Sequence, residues 1–298
     1  MKKKTLFTNT LLIAFLMPLF LHGQEVNETY KDVAYLDVEL ATGEVTIKKS
    51  KNSQVSVRGK YDDDRVKVTI DYSGNSLSIK EKNRYGNNNG GRGSIWTIEV
   101  PDGLDISASS GTGDVLVSGI KADFEGNSGT GDVEVADIEG RIDLNSGTGS
   151  VIVRNAKGRF DLNSGTSNVL VSNAEGKFDA NSGTGNVKFE KVHPTSSSTL
   201  NSGTGNVKFV LSDKLEADLE LNSGTGDAVL DFDGQKVEGD FEMSCGLNSG
   251  TIVAPFQFDT ERKVGSKYNG HWEKTAKVGK AEYDVEVSTG TGRAEIRS

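Results

Sequence analysis

The stretch Asn-Ser-Gly-Thr-Gly-Asn/Asp-Val recurs along the chain and restricts its fold more than any other feature. Its serine falls at Ser110, Ser128, Ser146, Ser164, Ser182, Ser202, Ser223 and Ser249, and a degenerate copy carries Thr289 in that place. The first four steps are 18 residues each, and the later ones are 20, 21, 26 and 40. A fixed period of this size in β-forming residues means a solenoid, in which each repeat is one coil resting on its neighbours.

Counted from the serine, position +5 is Val115, Val133, Val151, Val169, Val187, Val207 and Ala228. Position +7 is Val117, Val135, Val153, Val171, Phe189, Phe209 and Leu230. A single residue stands between the two columns, which is the period of a half-buried strand. Position +10 gives Ile120, Ile138, Ala156, Ala174 and Val192. Position −4 gives Phe124, Ile142, Phe160, Phe178, Leu219, Cys245 and Val285, and −2 gives Leu144, Leu162, Ala180, Leu200, Leu221, Leu247 and Val287. Five apolar columns therefore enter one narrow core. A coil too thin to bury its own apolar side gains stability by stacking.

Two strands per coil are expected. One turn between them is Ser-Gly-Thr-Gly, whose glycines tolerate positive φ, and the other lies near Ala122, Gly140, Gly158 and Gly176. Position −1 is Asn127, Asn145, Asn163, Asn181, Asn201, Asn222 and Asn248. Stacked identical amides can hydrogen-bond up such a column; a ligand-binding asparagine row is the alternative. A hexapeptide coil does not fit the apolar columns. A calcium β-roll would repeat its glycine-rich turn twice as often, and position +4 mixes Asp114, Asp132 and Asp227 with the neutral Ser150, Asn168, Asn186 and Asn206. The expected fold is thus all-β: a parallel β-helix or β-solenoid of about 18 residues per coil. Parallel crossovers favour the right-handed form.

Residues 1–23 read as a signal peptide. Lys2, Lys3 and Lys4 precede an apolar run from Leu11 to Leu21, too short for a span of ~20 residues. The expected mature chain begins at Gln24, has no transmembrane segment and is exported: periplasmic, outer-surface associated or secreted. Residues 24–103 read as an N-terminal β cap region, in which Tyr35–Leu40 and Ile95–Val100 alternate, with antiparallel strands covering the open edge of the stack. Residues Arg84 to Gly93 read as a mobile loop. Residues 104–298 are the repeat solenoid, interrupted by an insertion at 257–282, and Tyr283 to Ser298 returns to the pattern and closes the rod.

The net charge of −9 moves to about −12 once three lysines and no acids leave with the signal segment. That opposes nucleic acid as a partner. Cys245 is the single cysteine, so no intrachain disulfide exists. After processing, only His193 and His271 remain, with no metal-ligand spacing to another His or Cys. Asp143, Asp161 and Asp179 form an outward acidic row with Glu125 before them, read as a solubilising face, with Lys121, Arg141, Arg159 and Lys177 at the facing turn. No Ser-His-Asp set, nucleophile elbow or phosphate loop stands out. A non-enzymatic role without cofactor or metal is expected. The basic, aromatic segment 257–282 is read either as a hairpin over the stack or as a contact site for a glycan or a protein partner, with Tyr268, His271, Trp272 and Lys274 as the candidate contacts.

The motif Ser-Gly-Thr-Gly-Asp-Val-Glu-Val at 128–135, its echoes at 110, 146 and 182, and Ile95-Trp-Thr-Ile-Glu-Val-Pro-Asp-Gly103 resemble an adhesin family of exported bacterial β-solenoid domains. These are themselves similar to auto-transporter adhesin head domains. The resemblance spans about Asp32 to Ser298. It implies a right-handed β-helix without a lyase active site, and it brings no catalytic residues. Three roles follow as expectations: an adhesin-like binding or structural module of the cell envelope, a polysaccharide-binding or polysaccharide-processing β-helix, and an envelope-stress signalling partner.

Overall fold

The computed structural model describes residues 23–84, 93–266, 270–280 and 282–298. The expected signal segment up to residue 22, most of the expected loop at 84–93, and Tyr268 lie outside the described residues. Among the described residues, the regular elements are β-strands throughout. The chain enters through β1 (Gln24–Tyr30), and β2 (Tyr35–Leu40) and β3 (Glu44–Lys49) make one coil. Next come β4 (Val55–Tyr61) and β5 (Val66–Ser73), then a coil of β6 (Ser76–Asn83) and β7 (Ile95–Val100). The regular part is β8 (Asp105–Ser110), β9 (Val115–Ser118), β10 (Asp123–Ser128), β11 (Val133–Ser146), β12 (Val151–Ser164), β13 (Val169–Ser182), β14 (Val187–Pro194), β15 (Ser198–Thr204), β16 (Val207–Leu211), β17 (Leu219–Thr225) and β18 (Ala228–Asp231). The last five are β19 (Gly239–Gly246), β20 (Gly250–Val253), β21 (Thr260–Val264), β22 (His271–Val278) and β23 (Asp284–Arg297).

Parallel pairing sets each residue beside its counterpart one repeat away, as in Phe124 to Ile142, Ile142 to Phe160 and Phe160 to Phe178. The apolar columns of the regular coils are buried along their length. Inside them the rings stack, Phe160 on Phe178 at 5.0 Å and Phe189 on Phe209 at 5.5 Å, with Phe178 meeting Phe189 edge-on. Burial of each such side chain stabilises by about 1.5–3 kcal/mol.

The serines form a further buried column. Ser128, Ser146 and Ser164 each donate to a carbonyl of the previous turn (Gly113, Gly131 and Gly149, at 2.8–2.9 Å). Ser128 and Ser164 also accept the N–H three residues on, from Gly131 and Ser167. The hydroxyls of Ser128 and Ser164 thus shape their own turns and tie them to the preceding coil. The side-chain oxygens of Asp114, Asp132 and Asn168 accept the backbone N–H of Asp132, Ser150 and Asn186. That explains the mixture at +4: the position needs an acceptor, and a charge is optional. The asparagine ladder is present, from Asn145 to Asn127 at 3.2 Å through to Asn222 on Asn201 at 3.0 Å.

The second turn differs from the expected break. β11, β12 and β13 run unbroken through it, each 14 residues long. They bend at Asp137, Asn155 and Asn173, with φ of 51–53°, and at Gly140, Gly158 and Gly176. Short polar side chains tolerate that left-handed conformation. The glycines are also required by proximity: a Cβ on Gly158 would sit 1.8 Å from the Gly140 carbonyl oxygen.

At both ends the stacking order departs from the order of the sequence. β6 pairs with β2, and β2 with β8, so the coil of β6 and β7 lies outside the earlier coil of β2 and β3. Antiparallel β5 and β4 cover its edge, and β1 covers β4. At the other end β23 lies between β17 and β19, and between β18 and β20. The C-terminal segment therefore does not close the rod; the coil of β19 and β20 lies beyond it, covered by the hairpin of β22 and β21. This corrects the alignment of that coil. Cys245 pairs with Thr289 and so stands in the serine column, Phe241 and Met243 hold −4 and −2, and Leu247 falls in a turn. The alternation of Phe241, Met243 and Cys245 outranks the Asn-Ser-Gly-Thr match at 248–251.

Candidate interaction face

One long face carries the outward side chains of β2, β8, β10, the second halves of β11 to β13, β15, β17, β23 and β19. Alternation along each strand projects positions −5, −3 and −1 here while −4, −2 and the serine point inward. The −3 row holds Glu125, Asp143, Asp161 and Asp179, then after Thr199 it holds Glu220, Glu286 and Glu242. The row beside it reads Asp123, Arg141, Arg159 and Lys177; Lys121 lies outside this row and pairs instead with Glu139. The −3 acids accept from the asparagine ladder, as in Asn145 to Asp143 and Asn163 to Asp161, both at 2.8 Å. Burial, together with the neighbouring Asp161 and Glu125 carboxylates, holds the Asp143 carboxyl above its ordinary pKa against the bond from Asn145.

The out-of-order end brings three similar tetrads together: Asp218-Leu219-Glu220-Leu221, Asp284-Val285-Glu286-Val287 and Asp240-Phe241-Glu242-Met243. Their acids line a shallow depression of about 670 Å³, completed by Asp259, Thr275 and Lys277. Lys277 reaches Asp240 at 3.1 Å, and its backbone N–H donates to Asp259 at 2.8 Å. The Glu286 carboxyl is raised above its usual value by burial first and then by Glu220, Glu242 and Glu273. Asp37, Asp105, Asp123, Glu125 and Asp143 line a second depression at the other end, with the exposed Tyr35 at its side. Sequence reasoning missed the first cluster, although the recurring Asp-apolar-Glu-apolar tetrad signals it. Among the described residues, no group of three or more His, Cys, Asp and Glu is arranged to hold a metal ion.

The insertion at 257–282 contributes the antiparallel cap. On β22, Trp272 lies opposite Cys245 and Lys274 opposite Met243, so both lean to the core side of the end coil. Lys274 sits 5.3 Å from the Phe258 ring centroid and 3.1 Å from the Glu261 carboxylate. His271 falls on the other side with Glu273, 3.8 Å away. Glu273 is buried and takes a bond from Arg262 Nε at 2.8 Å. Of the four candidate contacts, Trp272 and Lys274 therefore share a side, His271 does not, and Tyr268 lies outside the described residues.

The family described as Toastrack DUF4097 matches residues 33–244. The chain belongs to this family. The Toastrack match ends within β19, so the cap hairpin and β23 lie beyond it. None of the curated proteins matches the chain. Among solved structures, a candidate adhesin from Bacteroides fragilis NCTC 9343 is similar at 12% identity and a TM-score of 0.43, covering 92% of this chain and 97% of that one. A candidate lipid binding protein from Parabacteroides distasonis ATCC 8503 has 12% identity and a TM-score of 0.45, over 72% and 90%. A candidate cell adhesion protein from Clostridium sporogenes ATCC 15579 has 10% identity and a TM-score of 0.27, over 92% and 99%. No helix among the described residues is long and apolar enough to cross a membrane.

Proposed function

We propose that this chain is a non-enzymatic, adhesin-like binding module of the cell envelope, exported by its first 23 residues, that contacts a glycan or protein ligand at the capped end of the stack. One observation carries the reading. β22, the strand that bears His271, Trp272 and Lys274, also supplies Thr275 and Lys277 to the wall of the acidic depression. The basic side chain of Lys277 thereby adjoins carboxylates that can accept hydrogen bonds from sugar hydroxyls or pair with basic side chains, while Trp272 and Lys274 lie on the other side of the same strand. Elsewhere on the face the polar side chains tie coil to coil, so the frame that presents this end is rigid.

The test is a glycan and polysaccharide array with the chain from Gln24, beside a Tyr268→Ala, Trp272→Ala variant and a Glu220→Gln, Glu286→Gln variant. The expected result is binding that both variants weaken while their far-ultraviolet circular dichroism stays that of the parent. Binding retained in full by both variants refutes the placement at this end. Binding that neither glycans nor an envelope extract can supply refutes the module itself.

A further inference from the structure

The position of β23 carries an inference independent of that ligand. It is the last strand in sequence, yet it fills a gap between two earlier coils. Its inward residues Val285, Val287, Ala294 and Ile296 are 0–2% exposed. Its bonds to the coil below are of the kinds that join neighbouring repeats elsewhere in the stack. Thr289 donates to the Gly226 carbonyl at 2.7 Å, as the serines do elsewhere. The Arg293 N–H meets Asp227 Oδ1 at 2.8 Å, continuing the +4 row, and the Ser288 hydroxyl meets Asn222 Oδ1, ending the asparagine ladder. The gap therefore reads the repeat pattern, and the same strand from a second copy satisfies every contact equally. Between the two sources, only effective concentration chooses.

We propose that β23 is an exchangeable coil: the strand at 284–297 of one copy fills the gap between the 219–231 and 239–253 coils of a second copy, joining two copies reciprocally. Such exchange forms a dimer without any new interface.

Asn222 and Ser288 are register partners on adjacent strands with outward side chains, which makes them reporters. In a Cys245→Ser background, which places the repeat's own residue in the serine column, chains carrying Asn222→Cys or Ser288→Cys are mixed, unfolded and refolded together. A short thiol cross-linker is then added. The expected result is a covalent dimer that is scarce after refolding at about 10 μM and abundant near 1 mM, since effective concentrations of linked segments are on the order of mM. The Asn222→Cys, Ser288→Cys double variant should link within one chain at the lower concentration. Asn127→Cys mixed with Ser288→Cys is off register and should give no product. Absence of an interchain product near 1 mM, while the double variant still links, overturns the proposal, and so does equal product from the off-register pair. Unmodified chain refolded at the same two concentrations supplies a second arm by light scattering: dimer near 1 mM supports the exchange, and monomer alone overturns it.

Discussion

Ser164→Ala tests whether the serine column holds the stack. Ser164 is 4% exposed, donates to the Gly149 carbonyl at 2.9 Å and accepts the Ser167 N–H at 3.0 Å. Truncation leaves one donor and one acceptor short of a partner in a place water does not easily reach. An orphaned buried group costs about 1–3 kcal/mol, with the carbonyl near the lower end because a second lone pair remains. The expected loss is about 2–4 kcal/mol, which lowers Tm by roughly 3–7 °C in a chain of this size. Repeat stacks need not unfold in one step, so hydrogen exchange at the Ser167 amide is read beside the thermal scan and should speed up in the variant. Ser164→Thr is the control, because Thr289 already makes the same bond in the inserted coil; it should stay near the parent. A Ser164→Ala variant within about 0.5 kcal/mol of the parent, with unchanged exchange at Ser167, refutes the argument.

Gly158→Ala and Gly103→Ala separate crowding from backbone preference. Gly158 has a φ of 142° and the Gly140 oxygen 1.8 Å from its would-be Cβ, whereas Gly103 has a φ of 85° with nothing within 4 Å. The first should cost about 3 kcal/mol or more and the second about 1–2 by denaturant titration, and equal losses would show that coil contact is not the cause. Glu286→Gln addresses the acidic depression. A carboxyl whose folded pKa is raised contributes stability below its ordinary pKa of about 4.3 and loses it as pH rises through the folded value. The variant should therefore melt higher than the parent at pH 7, with a gain that shrinks toward pH 4; a lower Tm at pH 7, or a gain independent of pH, contradicts the cause assigned to the shift.

The repeating part was legible because its columns reflect direct pressure from packing. Val133, Val151 and Val169 are alike because they lie beside one another, and Asn145 and Asn163 because each amide serves the next. The order of coils at the ends was not legible. Leu36 and Val38 alternate just as Leu77 and Ile79 do, and alternation reports which side chains face inward, not which coil lies above which. The misplacement of Cys245 has the same root: a turn motif can recur without its strand taking the expected register. At the candidate site, Trp272 and Lys274 were visible as residue types. The acids of the depression came together only because β23 enters between β17 and β19, a neighbourhood that no local spacing encodes.

The two interleaved ends also determine how the molecule carries load. Once β1 is peeled from β4, tension on the chain from the front arrives at β2, which β6 and β8 grip on both edges. Tension from the rear arrives at β23, gripped by β17 and β19 along its first half and by β18 and β20 along its second. A solenoid wound in simple sequence order unzips one outer coil at a time, each yielding at low force along a single edge. Here neither first pull meets an outer coil, so two edges must shear together before any coil is released, and the rod resists extension most at the places where an ordinary solenoid frays.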